Sequence, residues 1–137
     1  MPGKPLLLFL SAALFLAGCS SPRIEYPIGL YGVPPEAFAE VKAAGFNLVT
    51  GPADPGFLDA AAEHGLGVVA FSGAQALGTN AAVRERVNRL DKHRALWAWY
   101  LIDEPDLHRI PPPEVAQAYH DLRSLGFKPS FLVLMSG

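Results

Sequence analysis

The sequence predicts an α/β protein whose parallel sheet forms part of a (β/α)8 barrel, with about five strands and four helices. From residue 27 onward, apolar runs of strand length alternate with stretches of helical periodicity. Such alternation is typical of parallel strands joined by right-handed crossovers, which occur in barrels and in doubly wound sheets. No glycine-rich phosphate loop follows any strand, and this absence favours the barrel over a nucleotide-binding sheet.

Length and charge limit the classes of function. The chain has 137 residues, one cysteine and a formal net charge of −2. The part that follows the N-terminal apolar segment is long enough for one domain. A small negative charge argues against nucleic-acid binding. A single cysteine excludes an intramolecular disulfide bond.

Residues 1–18 have the features of an export signal. Lys4 gives a short positive region, and Leu6 to Leu16 is an apolar run that is too short to span a bilayer comfortably. The following Leu-Ala-Gly-Cys resembles the bacterial lipoprotein signal motif, which implies a lipid on Cys19. Ser20 at the next position favours the outer membrane of the cell envelope, and residues 19–26 form a tether. The alternative is an ordinary secretory signal that contains a cysteine.

The five predicted strands are short apolar runs bounded by glycine, proline or polar residues. They are Ile28–Val33, Phe46–Thr50, Leu66–Phe71, Leu96–Ile102 and Ser130–Leu134. The fourth contains two tryptophans and ends abruptly in Asp-Glu-Pro-Asp. An apolar run of this kind is expected to be buried on both faces of a parallel sheet.

The four predicted helices have recognisable start and stop signals. The first begins at Pro34-Pro35 and continues to about Ala44, and the second begins with Asp54 as the N-cap and stops at Gly65. The third covers residues 80–93, with valines and a leucine on one face and charged residues on the other. The fourth opens at Pro111 to Pro113 and stops at Gly126. Proline before and glycine after a helix recur in three of the four.

The end of the fourth strand is the strongest candidate for a site. Carboxylates at the carboxyl ends of strands lie where α/β barrels place their chemistry. Pro105 disfavours a helical backbone at Glu104, so an extended conformation is expected there. Strict alternation places Glu104 on the same face as Tyr100, and Asp103 on the opposite face with both tryptophans. If Glu104 points into the barrel lumen, the tryptophans point toward the helices. The simpler alternative is a polar loop or a helix cap.

The same residues carry a resemblance to a known family. The segment Tyr-Leu-Ile-Asp-Glu-Pro at 100–105, following Trp97 and Trp99, resembles the acid/base strand of clan A glycoside hydrolases. Residues 29–33 and 44–49 resemble the first two strands of those barrels. The resemblance covers residues 27–137, roughly the first half to five-eighths of such a domain, since a complete barrel has about 250 residues.

The resemblance implies a carbohydrate substrate and a set of site residues. Glu104 matches the general acid/base. Asp103 stands where the family usually has an asparagine that binds the sugar, and Tyr31 would line the mouth of the barrel. The family's nucleophile ends a seventh strand, which this sequence does not reach, so the chain is expected to be inactive alone.

The sequence also allows predictions about cofactors, metals and partner chains. No cofactor is implied, and the histidines show no metal-binding spacing, so no metal is predicted. The fifth strand leaves an apolar edge, which predicts possible oligomerisation through that edge. The competing hypothesis is a surface lipoprotein that binds carbohydrate without catalysis or has a structural role.

Overall fold

The computed structural model describes residue 24, residues 26–73 and residues 80–135. The predicted signal peptide and Cys19 lie outside these described residues, as does most of the predicted tether. The strands are β1 Gly29–Leu30, β2 Leu48–Pro52, β3 Gly67–Phe71, β4 Leu96–Asp103 and β5 Ser130–Val133. The helices are α1 Phe38–Ala43, α2 Pro55–Glu63, α3 Ala81–Leu90 and α4 Pro112–Leu125.

The five strands form one parallel sheet in the order β1-β2-β3-β4-β5. The sheet curls into a half barrel, which confirms the predicted α/β fold and partial barrel. The main core lies between the sheet and the helices and contains Phe38, Leu58, Val87 and Trp99. We call this side of the sheet the outer face. A smaller cluster covers the other side, the inner face, and includes Leu48, Val69, Ala98 and Tyr100.

The ends of the helices contain the capping residues that mark helix boundaries in the sequence. The side chain of Asp54 accepts a hydrogen bond from the Phe57 amide at 3.0 Å, and Asn80 caps α3 in the same way. Gly45 and Gly65 follow their helices with φ of 93° and 64°, a left-handed conformation that favours glycine. The first helix is preceded by one 3₁₀ turn, Pro35–Ala37.

The glycine after α4 serves a different purpose. Gly126 has an extended backbone, with φ of −144° and ψ of 170°. A Cβ atom at this position would collide with the carboxylate of Asp91. The close approach of the backbone to that carboxylate therefore requires glycine here, although the three helix–glycine junctions look alike in sequence.

Asp91 joins three elements of the fold. It lies at the end of α3 and is 6% exposed. Its carboxylate accepts hydrogen bonds from the Trp99 indole at 2.9 Å, from the Phe127 amide at 2.7 Å and from the Lys128 amide at 3.3 Å. These contacts link α3, β4 and the segment that leads into β5. Nothing in the sequence pattern singled out this residue.

The outer side of β5 is open in the described part of the chain. Leu132 of β5 and Leu134, which follows the strand, line a groove of about 760 Å³ together with Tyr119 of α4. All three side chains are exposed. Among the described strands β5 pairs with β4 alone. Association through this edge stays a prediction.

Candidate functional site

A hydrogen-bonded network lies on the inner face at the carboxyl ends of β1 and β4. The Tyr31 hydroxyl donates to the Tyr100 hydroxyl at 2.7 Å. The Tyr100 hydroxyl in turn donates to Asp103 Oδ1 at 2.6 Å. An ionised carboxylate can only accept, so the direction of both bonds follows from Asp103. A phenol bound to a carboxylate at this distance is a strong, charge-assisted hydrogen bond.

Aromatic rings surround the central tyrosine of this network. The Tyr100 ring has centroid distances of 6.0 Å to Tyr31, 5.2 Å to Phe71 and 5.5 Å to Phe131. Tyr100 is 2% exposed, whereas Phe71 is 44% and Tyr31 is 56% exposed. The network is therefore anchored on a buried residue and bordered by aromatic surface that a ligand can reach.

An irregularity in β4 places Asp103 on the inner face. Tyr100 pairs with Phe131 and Asp103 pairs with Val133, so three steps along β4 match two along β5. The two residues between them, Leu101 and Ile102, both pack in the outer core. This β-bulge resets the alternation of side chains. The prediction that Asp103 leaves the strand on the face opposite Tyr100 is therefore wrong.

The two tryptophans of β4 have different surroundings. Trp99 packs in the outer core, as predicted. Trp97 packs against the inner cluster, so its predicted position toward the helices is wrong. The reason is a second irregularity, where Val68 and Val69 pair with Leu96 and Ala98 and leave Trp97 without a partner in the register.

Glu104 follows Asp103 with an unusual backbone conformation. Its φ is 41°, so the predicted extended conformation is wrong. A non-glycine residue in this region costs about 1–3 kcal/mol, and such residues cluster at functional sites. Its carbonyl accepts a hydrogen bond from the His108 amide at 3.1 Å and so starts the turn toward α4. Within the described residues the half-buried Glu104 carboxyl forms no hydrogen bond.

Other polar residues near these strand ends have structural contacts. Ser72 is fully buried, and its hydroxyl donates to the Tyr100 carbonyl at 2.8 Å, which fastens β3 to β4. Asp106 accepts a hydrogen bond from the Met135 amide at 3.1 Å. Gln75, which follows the third strand in sequence, lies outside the described residues. In the described ranges no group of three His, Cys, Asp or Glu side chains could hold a metal ion.

Stability at alkaline pH should depend on Tyr100. Burial and the hydrogen bond to Asp103 raise the pKa of Tyr100 well above its ordinary value of 10.0. Below about pH 10 the Tyr100 hydroxyl keeps its proton in both the folded and the unfolded chain. Above about pH 10 the unfolded chain loses this proton first. The free energy of unfolding should therefore fall by up to about 1.4 kcal/mol per pH unit above about pH 10.

Urea denaturation on both sides of that pH measures this loss, and Tyr100→Phe should remove it. Tyr119→Phe, which changes an exposed tyrosine of α4, should leave it unchanged. Equal pH slopes for wild type and Tyr100→Phe would contradict the assignment.

Comparison with known proteins adds no family to this description. The sequence matches no family model, no curated protein and no solved structure. Among the described residues no helix is both long enough and apolar enough to cross a bilayer. The interpretation of the site depends on its geometry and on the motif at residues 100–105.

Proposed function

We propose that this chain is an exported lipoprotein that carries the acid/base part of a glycoside hydrolase site. In this proposal Glu104 is the general acid/base, and the substrate is the O-glycosidic bond of a carbohydrate. The observation that supports it best is the network of Tyr31, Tyr100 and Asp103, which lies directly beside Glu104 at the carboxyl end of β4.

The chemistry of the network suits a sugar. Ligand sites combine apolar and aromatic walls with a few polar groups that fix orientation. The exposed rings of Tyr31 and Phe71 offer the apolar surface on which the C–H face of a sugar ring can stack. Asp103 offers a carboxylate that accepts hydrogen bonds from sugar hydroxyls. In (β/α)8 enzymes the active site lies at this end of the strands.

Hydrolysis needs a second carboxyl group at a defined distance from the acid. Asp103 ends β4 and Asp106 follows it, but Oδ1 of Asp103 is bonded to Tyr100 and Oδ1 of Asp106 to the Met135 amide. The proposal therefore assigns the second carboxylate to another strand of a complete barrel. The 137-residue chain should then release no nitrophenol from nitrophenyl glycosides. Hydrolysis that persists in the purified chain would contradict this division of the site.

The second hypothesis is a lipoprotein that binds carbohydrate without cleaving it. The same aromatic border and Asp103 favour it, because neither requires a catalytic partner. The two hypotheses differ in their dependence on Glu104. A barrel completed with three further strand–helix units should cleave a glycan that it binds if the first is right. If it binds the glycan but releases no reducing sugar, the second is right.

The lipid anchor is tested separately. Cys19 follows Leu-Ala-Gly and is the one cysteine of the sequence. We expect Cys19→Ala to move the protein from the membrane fraction to the soluble fraction, because the thiol that accepts the lipid is gone. Ser20→Ala, one position later, should stay in the membrane fraction. A Cys19→Ala protein that sediments with membranes as wild type does would exclude the anchor.

A further inference from the structure

We infer that the site at the end of β4 selects uncharged glycans over anionic ones, and that Asp103 sets this selectivity with Tyr100 as its positioning residue. The inference rests on the proposed function, since it assumes that the ligand is a carbohydrate. It adds the charge class of that carbohydrate and a role for a tyrosine that the sequence had not marked.

The residues around the network bring no positive charge to it. The hydrogen-bond partner of Asp103 is Tyr100, and the rings packed against Tyr100 are those of Tyr31, Phe71 and Phe131. In the described residues the one contact at ion-pair distance is His93 with Asp59 at 3.1 Å, which joins the segment after α3 to α2. No described lysine or arginine forms an ion pair with Asp103. A uronate or sulfated sugar would meet the like charge of Asp103, which disfavours its binding.

Two arginines that follow or contact the ends of β3 and β4 bind other parts of the chain. Arg86 donates to the Ser72 carbonyl at 2.6 Å. Arg109 lines the apolar groove beside α4, on the outer side of the sheet. In the described residues neither guanidinium is hydrogen-bonded to Tyr31, Tyr100 or Asp103.

The geometry of the Asp103 carboxylate also favours an uncharged ligand. Tyr100 is buried, and its hydrogen bond occupies Asp103 Oδ1 at 2.6 Å. Asp103 itself is exposed, and within the described residues its other oxygen has no bond. That oxygen can only accept, and the Tyr31 hydroxyl, which gives its proton to Tyr100, is also left to accept. The ligand must therefore donate at two points, as a pair of neutral hydroxyl groups does.

Matched polysaccharides that differ in charge test this directly. The probes are hydroxyethyl and carboxymethyl cellulose, dextran and dextran sulfate, and methyl-esterified pectin and polygalacturonate. Affinity electrophoresis of the full chain in each gives a dissociation constant. For the backbone that is bound, wild type should prefer the uncharged member by about tenfold. The preference should shrink at high ionic strength, because Asp103 is exposed.

Substitutions separate the effect of the Asp103 charge on selectivity from the effect of its position on affinity. Asp103→Asn should bring the preference below about twofold, whereas Asp103→Glu should retain it, because only the second keeps the charge. Tyr100→Phe should weaken binding of the uncharged member several-fold and leave the preference intact. Asp121→Asn removes the same charge from the surface of α4 and should change nothing. Asp103→Ser provides a second uncharged variant if the asparagine variant fails to fold, as circular dichroism would show.

The outcomes distinguish the inference from the function on which it depends. If wild type binds both members of a pair equally, or Asp103→Asn keeps the full preference, the inference is overturned and glycan binding stands. If wild type binds none of the six polysaccharides, the proposed carbohydrate site is overturned, and the inference with it.

Discussion

Glu104→Gln should lower the turnover of a natural glycan by about 10²- to 10⁴-fold in the complete barrel, the range that general acid–base catalysis contributes. Glutamine keeps the size of the side chain but cannot donate the proton that the departing sugar oxygen needs. Glu104 has a left-handed backbone conformation at the end of β4. Because such strained residues cluster at functional sites, this conformation favours a catalytic role for Glu104 over that of an ordinary loop residue. Initial rates on a reducing-sugar assay measure the loss.

The leaving group provides the internal control. An aryl glycoside with a good leaving group needs little protonation, so its first step should lose much less rate in Glu104→Gln. Asp103→Asn should cost far less turnover than Glu104→Gln at saturating substrate, because Asp103 is proposed to bind rather than to transfer a proton. An equal loss on both substrates in Glu104→Gln would argue that Glu104 has a structural role only.

Asp91→Ala should destabilise the fold by about 3 kcal/mol, the largest loss of stability that we expect from one substitution. It leaves the buried Trp99 indole and the part-buried Phe127 and Lys128 amides without their acceptor. An unsatisfied buried donor costs about 1–3 kcal/mol. The total stability of a small domain is only about 5–15 kcal/mol, so the variant should unfold at a much lower urea concentration.

Two further substitutions test the same contact. Asp91→Asn keeps one acceptor oxygen and should lose roughly half as much stability as Asp91→Ala, since it leaves fewer donors unsatisfied. Asp121→Ala, which removes an exposed carboxylate from α4, should stay within about 0.5 kcal/mol of wild type. A urea midpoint for Asp91→Ala close to that of Asp121→Ala would show that the buried contact contributes little.

The fold could be predicted because its signals are local. The N-cap at Asp54, the left-handed glycines at 45 and 65 and the apolar strands each act within a few residues. The predicted strand limits differ from the observed ones where pairing with a neighbouring strand decides them. The first strand was predicted over six residues, but only Gly29 and Leu30 pair with β2. There the side chain of Asn47 takes over, since it accepts from the Ile28 amide and donates to the Tyr26 carbonyl.

The sequence indicates where the site lies but not the face of the sheet on which its side chains lie. The acids at the end of the fourth strand were found because they interrupt an apolar run. Strict alternation predicts the face of the sheet on which each side chain lies, and the bulge between Tyr100 and Asp103 reverses the face predicted for Asp103. A bulge depends on how β4 meets β5, and no residue type marks it in the sequence. The bond between Tyr31 and Tyr100 spans 69 positions and could not be inferred from spacing at all.

The strand order also determines how such a chain can fold as it is made. Every strand of the sheet lies beside the strand that precedes it in the sequence. Because the amino-terminal part of a protein emerges first, each strand and its helix can add to an edge that already exists. Each parallel pairing closes a connection that contains a helix, so each addition is expected to be slower than the closing of a β-hairpin. At every stage the newest strand of the growing sheet would form an unpaired edge, and each new strand would cover the edge left by the last.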